Sequence, residues 1–321
     1  MALLMEELRA IPTWGPFRWG DDSCQNHSKT SYIPSSMGSL PLREGTSKKL
    51  QRVESTPITK TAKWEKSVEL CLRIPASEHK DLIGPRGDAI KEMIQKISGG
   101  GKVHFPDNRK SSLVKLRGTL TQVRSLYFTF QQYRCIDLNI PLRQGLCINQ
   151  MQNIVDLENV RDAMFHSTPL QTILKVKTPC KETLRRILKL INHEDAVVEI
   201  MVECVNEEDA SFTGFIEELT NTKIFKDQKS YVIKGTLNNV IAAREELLRL
   251  NALGIRFHIP LEELADPEDL IMDLSKEFSG VDGQISLLTQ RNMARITLKS
   301  YEVFSQNLFK AGTNVLEMMK K

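Results

Sequence analysis

From Ser67 to Ile74 the chain alternates, with Val68, Leu70, Leu72 and Ile74 apolar and Glu69 and Arg73 polar. That period of two predicts a strand. Pro75 ends it, and Ser77 is the expected N-cap of a short helix reaching Ile83. Asp88 carries the charge that suits a helix start. Ile90, Met93, Ile94 and Ile97 then recur at helical spacing until Gly99-Gly100-Gly101 stops the run. Lys102–Phe105 and Ser112–Leu116 predict two strands joined by the polar turn Asp107-Asn108-Arg109-Lys110. Thr119 caps a further helix with Val123, Leu126, Tyr127 and Phe130 on one face. The predicted order over residues 66–134 is strand, helix, loop, helix, strand, strand, helix.

The pattern repeats. Arg117-Gly118-Thr119-Leu120 returns as Lys234-Gly235-Thr236-Leu237, 117 residues on, each time between a β-like run and a helix. Strands ending in Ile-Pro occur at Ile74-Pro75, Ile140-Pro141 and Ile259-Pro260. The shared period divides the chain into units at 66–134, 135–193, 194–251 and 252–321. The second unit is expected to hold strands at Cys135–Ile140 and Thr172–Val176, an amphipathic segment at Leu142–Leu157, and a closing helix, Lys181–Ile191, capped by Thr178. The third opens with Ala196–Glu203 and closes with Thr236–Leu250. The fourth opens with Ile255–Ile259, has a strand at Ala294–Leu298, and closes with Phe304–Met319.

Between the first two predicted helices stands Gly84-Pro85-Arg86-Gly87. Two glycines three apart leave no Cβ in the way of a nucleic-acid backbone, and the loop opens onto a helix N-terminus, a natural anion site. With this loop and this element order, residues 66–134 resemble a type I KH domain, whose G-x-x-G loop clamps about four nucleotides of single-stranded RNA. The competing reading is a small α/β unit whose glycines only turn the chain. The resemblance implies that Gly84, Pro85, Arg86 and Gly87 hold the RNA backbone. It also implies that Leu82, Ile83, Ile90 and Val103 line the base-facing groove, with Lys80, Lys91 and Lys102 as nearby cations. Proline removes one backbone donor from the loop, which shifts phosphate contact toward Arg86.

The later units lack the clamp: the second offers Gln144-Gly145-Leu146-Cys147, the third Glu207-Glu208-Asp209. In the fourth, Gly280-Val281-Asp282-Gly283 falls where the first has Gly99-Gly100-Gly101 and reads as a turn. The expected fold class is therefore α+β, with tandem KH-type βααββα units, each a three-stranded sheet packed on helices. One loop-bearing unit followed by loopless ones resembles the Bicaudal-C group of RNA-binding regulators. That resemblance implies a cytoplasmic regulator of mRNA translation or stability, also found in ribonucleoprotein granules, that recruits protein partners through its degenerate units. The alternative is a protein-interaction scaffold whose array has largely lost RNA.

Charge sharpens the picture. The 321-residue chain is only +4 overall, but residues 66–134 carry +7, 135–193 carry +3, 194–251 carry −6 and 252–321 carry −2. A phosphate backbone favours the first unit and avoids the third. Residues 1–65 are net +2; Asp21–Thr61, rich in Ser, Thr, Pro and Lys, predicts a mostly disordered tail. Ahead of it Trp14, Phe17 and Trp19 form either a partner-docking peptide or a loosely packed terminus.

Other chemistry finds little support. Cys24, Cys71, Cys135, Cys147, Cys180 and Cys204 form no C-x-x-C pair and read as reduced, mostly buried thiols. The six histidines lack metal-ligand spacing. Gly99-Gly100-Gly101-Lys102 lacks the phosphate-loop spacing, and no nucleophile elbow or paired-carboxylate pattern stands out. No apolar run is long enough for a membrane span, and Met1–Leu8 is acidic rather than basic, unlike a secretory leader. The reading is a non-enzyme without cofactor or metal.

Overall fold

The computed structural model describes residues 67–318, apart from 98–99, 109–110, 144–147, 169–170, 204–211, 228–229, 264–266 and 289–291. The tail expected to be disordered, the tryptophan cluster, Cys24, Cys147 and Cys204 lie outside the described residues.

The elements fall into four successive groups. The first is β1 (Val68–Arg73), α1 (Ala76–Ile83), α2 (Asp88–Gln95), β2 (Lys102–His104), β3 (Leu113–Gly118) and α3 (Leu120–Tyr133). The second is β4 (Ile136–Leu142), α4 (Ile148–Val155), β5 (Asp162–Ser167), β6 (Thr172–Thr178) and α5 (Lys181–Leu190). The third is β7 (Val198–Glu203), α6 (Thr213–Thr220), β8 (Lys223–Asp227), β9 (Ser230–Gly235) and α7 (Leu237–Arg249). The fourth is β10 (Ala252–Pro260), α8 (Pro267–Glu277), β11 (Asp282–Leu288), β12 (Met293–Tyr301) and α9 (Ser305–Met318). The expected α+β class holds, and each group supplies three strands.

Those strands merge in pairs. The first and fourth groups share one antiparallel six-stranded sheet, ordered β11-β12-β10-β1-β3-β2; the second and third share another, β5-β6-β4-β7-β9-β8. The groups are thus nested, outer with outer and inner with inner. In the first sheet β1 lies antiparallel to β10, with Val68 opposite Phe257, Leu70 opposite Ile255 and Leu72 opposite Leu253. These apolar cross-strand pairs all point to the helix side, where direct opposition lets them pack. The pairing also removes the free edges of two long strands. In the second sheet β4 meets β7 only around Leu138–Ile200 and Asn139–Glu199.

One core cluster joins both halves of the first sheet. It includes Leu70, Leu116, Met93, Val123 and Phe130 from the first group and Ile255, Phe257, Leu298 and Leu308 from the fourth. α3 is fixed as its sequence predicts: Val123, Leu126, Tyr127 and Phe130 are buried, and Thr119 and Gln122 form a reciprocal capping box. Two expected caps differ. Pro75, not Ser77, precedes α1, and its carbonyl accepts the Glu78 N–H at 2.9 Å. Thr178 ends β6 rather than capping α5; its hydroxyl donates to the Asn159 carbonyl at 2.7 Å and accepts the Cys180 N–H at 3.1 Å. β5 was not visible in the sequence, because DAMFHS carries few β-branched residues and lies at a sheet edge.

Buried polar groups pin the junctions. Arg134, just after α3, grips Glu78 of α1 through two bonds of 2.9 and 3.0 Å. Arg244 of α7 donates to the Cys135 carbonyl at 2.8 Å. Glu302, ahead of α9, accepts from the Tyr127 hydroxyl at 3.2 Å and the Gln131 amide at 2.8 Å. Burial lifts the Glu302 carboxyl to about 7, against the opposing pull of Arg134 and of its hydrogen-bond donors.

Two outcomes follow. Phe257→Ala, at a side chain only 2% exposed, is expected to cost about 3–5 kcal/mol in urea denaturation. Amide exchange should quicken in β1 as well as β10, since they share one sheet. Second, a carboxyl raised in the folded state stabilises fully below its unfolded value of 4.5, and that stability disappears as pH rises through about 7. Wild type should therefore lose up to about 3 kcal/mol from this group between pH 4.5 and 7. Glu302→Gln should flatten that slope in denaturation midpoints measured across the window.

Candidate nucleic-acid interface

α1 ends where its next residue leaves helical space. The Gly84 N–H still donates to the Lys80 carbonyl at 2.9 Å, but its φ of 73° and ψ of 174° lie in a region open only to glycine. A Cβ there would stand 2.6 Å from the Ala89 Cβ and 2.9 Å from the Ala89 nitrogen. Gly84 therefore has both a conformational and a steric reason to be glycine.

Pro85–Gly87 form one 3-10 turn, closed by the Gly87 N–H donating to the Gly84 carbonyl at 3.2 Å. Arg86 sits at φ 53°, ψ 17°, left-handed for a residue with a side chain. Gly87, at φ 78°, ψ 19°, turns the chain into α2. The loop is braced from behind: the Lys91 ammonium donates to the Arg86 carbonyl at 3.3 Å and pairs with Asp88 at 3.4 Å. Both members of that pair are well exposed, so it is weak and readily exchanged for a phosphate. The Arg86 side chain is exposed and makes no hydrogen bond or ion pair with the described residues.

Most of the expected site residues surround this loop. Pro85 and Arg86 form its exposed tip, and Lys80 and Lys91 are exposed on the flanking helices. Ile83, Ile90 and Val103 are half-buried, and Ile90 and Val103 pack at the rim of the core. Leu82 is a correction: at 1% exposure it belongs to the core and cannot face a base. The buried face of α1 runs through His79 and Leu82, three apart, which turns Ile83 outward in its place. Lys102 is exposed but shares β2 with Val103, and adjacent strand residues point to opposite faces. It therefore lies on the side of the sheet away from the helices.

Sequence reasoning missed the support beneath the loop. The His79 Nε2 hydrogen-bonds the Ile74 carbonyl at 3.0 Å, and its ring meets Phe105 edge-on at 5.2 Å. Phe105 in turn stacks on Phe130 at 6.2 Å. Burial lowers the His79 pKa, outweighing the Ile74 carbonyl and Glu78, so the imidazole stays neutral and acts as a packing group. The available signals were the i, i+3 spacing of His79 and Leu82 and the period of two linking Val103 to Phe105.

The corresponding segments 144–147 and 207–209 lie outside the described residues. Gly280, at φ 76°, turns the chain between α8 and β11. A Cβ on it would meet the Phe304 ring at 2.5 Å, so this glycine pair is a packed turn and not a second clamp. Among the described residues no cluster of His, Cys, Asp and Glu is placed to hold a metal ion. No described helix is long and apolar enough to cross a membrane.

Residues 69–126, most of the first group, match the family model of the KH domain, a family of RNA-binding modules. The fold is similar to a solved structure described as "KH domains", with a TM-score of 0.56 and 14% identity, covering 77% of this chain and 83% of that one. The likeness in fold thus extends well beyond residues 69–126. No curated protein sequence matches the chain significantly.

The two loop glycines should respond differently to alanine. Gly84→Ala meets both a forbidden conformation and Ala89 and should cost about 2 kcal/mol or more. Gly87→Ala has room for its Cβ, with the nearest atom at 3.8 Å, and should cost about 1 kcal/mol. Thermal denaturation of the two variants checks the order.

Proposed function

We propose that this protein binds single-stranded RNA through the Gly84–Gly87 loop and acts as a regulator of mRNA translation or stability, in the manner of the Bicaudal-C group. The observation that carries this reading is the loop itself. Three of its four residues hold positive φ, Gly84 admits no side chain, and an unengaged Arg86 stands at the tip beside the N-terminus of α2. An RNA backbone would approach along the glycines, one phosphate would meet Arg86, and bases would lie against Ile83, Ile90 and Val103. Lys80 and Lys91 would add charge at the margin, and Lys102 would act from around the β2 edge.

One clamp for about four nucleotides gives modest affinity and little selectivity. Useful transcript selection then needs linkage to other binding events, through protein partners held by the remaining KH-like groups in the cytoplasm. The scaffold reading draws support from the third group, whose net charge of −6 disfavours phosphate. The two readings are compatible, one group holding RNA while others hold proteins.

The test is fluorescence anisotropy of the full chain with labelled randomised five-nucleotide RNAs. Pro85→Asp combined with Arg86→Asp places two carboxylates at the tip and should weaken binding at least tenfold, since each adds phosphate repulsion. The melting temperature should hold, because both positions are exposed. Unchanged affinity in the folded variant would remove this loop as the RNA site.

A further inference from the structure

Pairing of β1 with β10 creates a surface that neither group has alone. The helices of both groups pack on one side of the shared sheet, against the alternating apolar residues. The other side collects the polar positions of all six strands. Registered across the strands, one row runs Lys102, Arg117, Glu69, Arg256. The next row sets Lys115 beside Cys71 and carries on through Gly254 to Lys299. Arg295, opposite His258, lies on the far side of the first row, one same-face step past Thr297, and Arg73 extends β1 in the other direction.

The strands therefore place seven arginine and lysine side chains on this face against two carboxylates, Glu69 and Asp282. Glu69 is already occupied. Burial works against its charge, yet the Arg117 hydrogen bond and the neighbouring Lys115, Arg117 and Arg256 hold its carboxyl below the usual range. It is clasped by Arg117 at 2.5 Å and Arg256 at 3.3 Å, so it arranges two guanidinium groups without cancelling the surplus. The other sheet contrasts with this one. There Lys175 pairs with Asp137 at 3.1 Å and Lys234 with Glu199 at 2.5 Å within the sheet, and Lys177 reaches Asp81 of α1 at 2.5 Å.

We infer that this helix-free face is a second RNA-binding surface, one that engages the phosphate backbone of a strand whose bases are held at the Gly84–Gly87 loop. The inference rests on the RNA-binding reading above but on different residues. The route is short: β2 is the outer strand of the sheet, with Val103 facing the loop side and Lys102 facing the basic side. A strand leaving the groove around the β2 edge meets Lys102, then Arg117, then Arg256. The face suits phosphate rather than an acidic protein, because protein interfaces need a buried apolar or aromatic anchor. Here the large apolar side chains, such as Leu113 and Met293, stand at the strand ends. Contact of this kind is independent of sequence and strongly salt-dependent. It lengthens the bound segment without adding base selectivity.

The experiment compares randomised 5-mers with randomised 25-mers on the full chain, over a range of salt concentrations. The face variant is Lys115→Gln, Arg295→Gln, Lys299→Gln. It should bind 5-mers as wild type does, which also certifies its fold. Its 25-mer affinity should fall about tenfold, and the slope of log K against log salt should shrink by about 2, near 0.7 per lost phosphate contact. The Pro85→Asp, Arg86→Asp variant should lose 5-mers but keep weak, salt-sensitive 25-mer binding. That pattern separates the two sites. Equal 25-mer affinity and slope for wild type and the face variant would overturn the second surface while leaving the loop intact. So would a face that captures polyglutamate, losing it in the face variant, while 25-mer binding stays unchanged. Loss of 5-mer binding only in the loop variant bears on the loop alone and supports its separation from the face.

Discussion

The architecture depends on the antiparallel contact of β1 with β10. Without it β1 is an edge strand, the core under Leu70 and Leu72 ends at Val68, and Glu69 faces a single arginine. With it the first and fourth groups share one sheet and one apolar layer. The Gly84–Gly87 loop stands on α1 and α2, and these helices rest on that layer through Leu82, Ala89 and Met93. A segment almost two hundred residues away is therefore part of what holds the loop in place. The Arg134–Glu78 pair adds a second tie, fixing α1 to the end of α3 where the chain passes into the next group. Breaking one side of such a buried pair is costly because the other charge is left stranded.

Much of the secondary structure was legible in the sequence. β1, α2 and α3 announced themselves by period, and the Thr119 cap by its Gln122 partner. The strand-to-helix step Gly118-Thr119-Leu120 recurred as Gly235-Thr236-Leu237 because each closes a third strand onto the last helix of a group. Which strand neighbours which was not legible. Alternation specifies a half-buried strand and says nothing of its partner. Both ends of β1 could satisfy any apolar edge, and only three-dimensional closure selects β10. The cap errors share a local cause. Ser77 and Thr178 are residues that favour helix starts, but the proline carbonyl and the Asn159 carbonyl offered better geometry.

At the site, the loop was legible because glycine spacing reports a backbone requirement directly, and the positive φ values at Gly84 and Gly87 are that requirement. Side-chain direction was harder. Leu82 and Ile83 are adjacent and both apolar, and only the rotation of α1 decides which enters the core. His79 and Phe105 were passed over because a lone histidine and a strand-end aromatic carry no motif, although together they underpin the loop. The basic face was hidden for a different reason. Its charges are scattered over five strands and more than two hundred residues, so no window of sequence contains them, and the overall charge of +4 dilutes them.

Nested pairing also sets a timetable. β1 leaves the ribosome 179 residues ahead of the first residue of β10, the distance from Arg73 to Ala252. At about 5–20 residues per second that is a wait of roughly ten to forty seconds with an apolar edge unpaired. The inner groups have no such delay, since β7 follows β4 after little more than fifty residues. Like brackets, the inner pair closes first, and the outer pair can close only when the last group has emerged. The interval exposes Leu70 and Leu72 on an open edge, the condition under which chains pair with copies of themselves. A nascent chain stalled in that window would be a substrate for chaperones, and the Gly84–Gly87 loop would mature only at the end of synthesis.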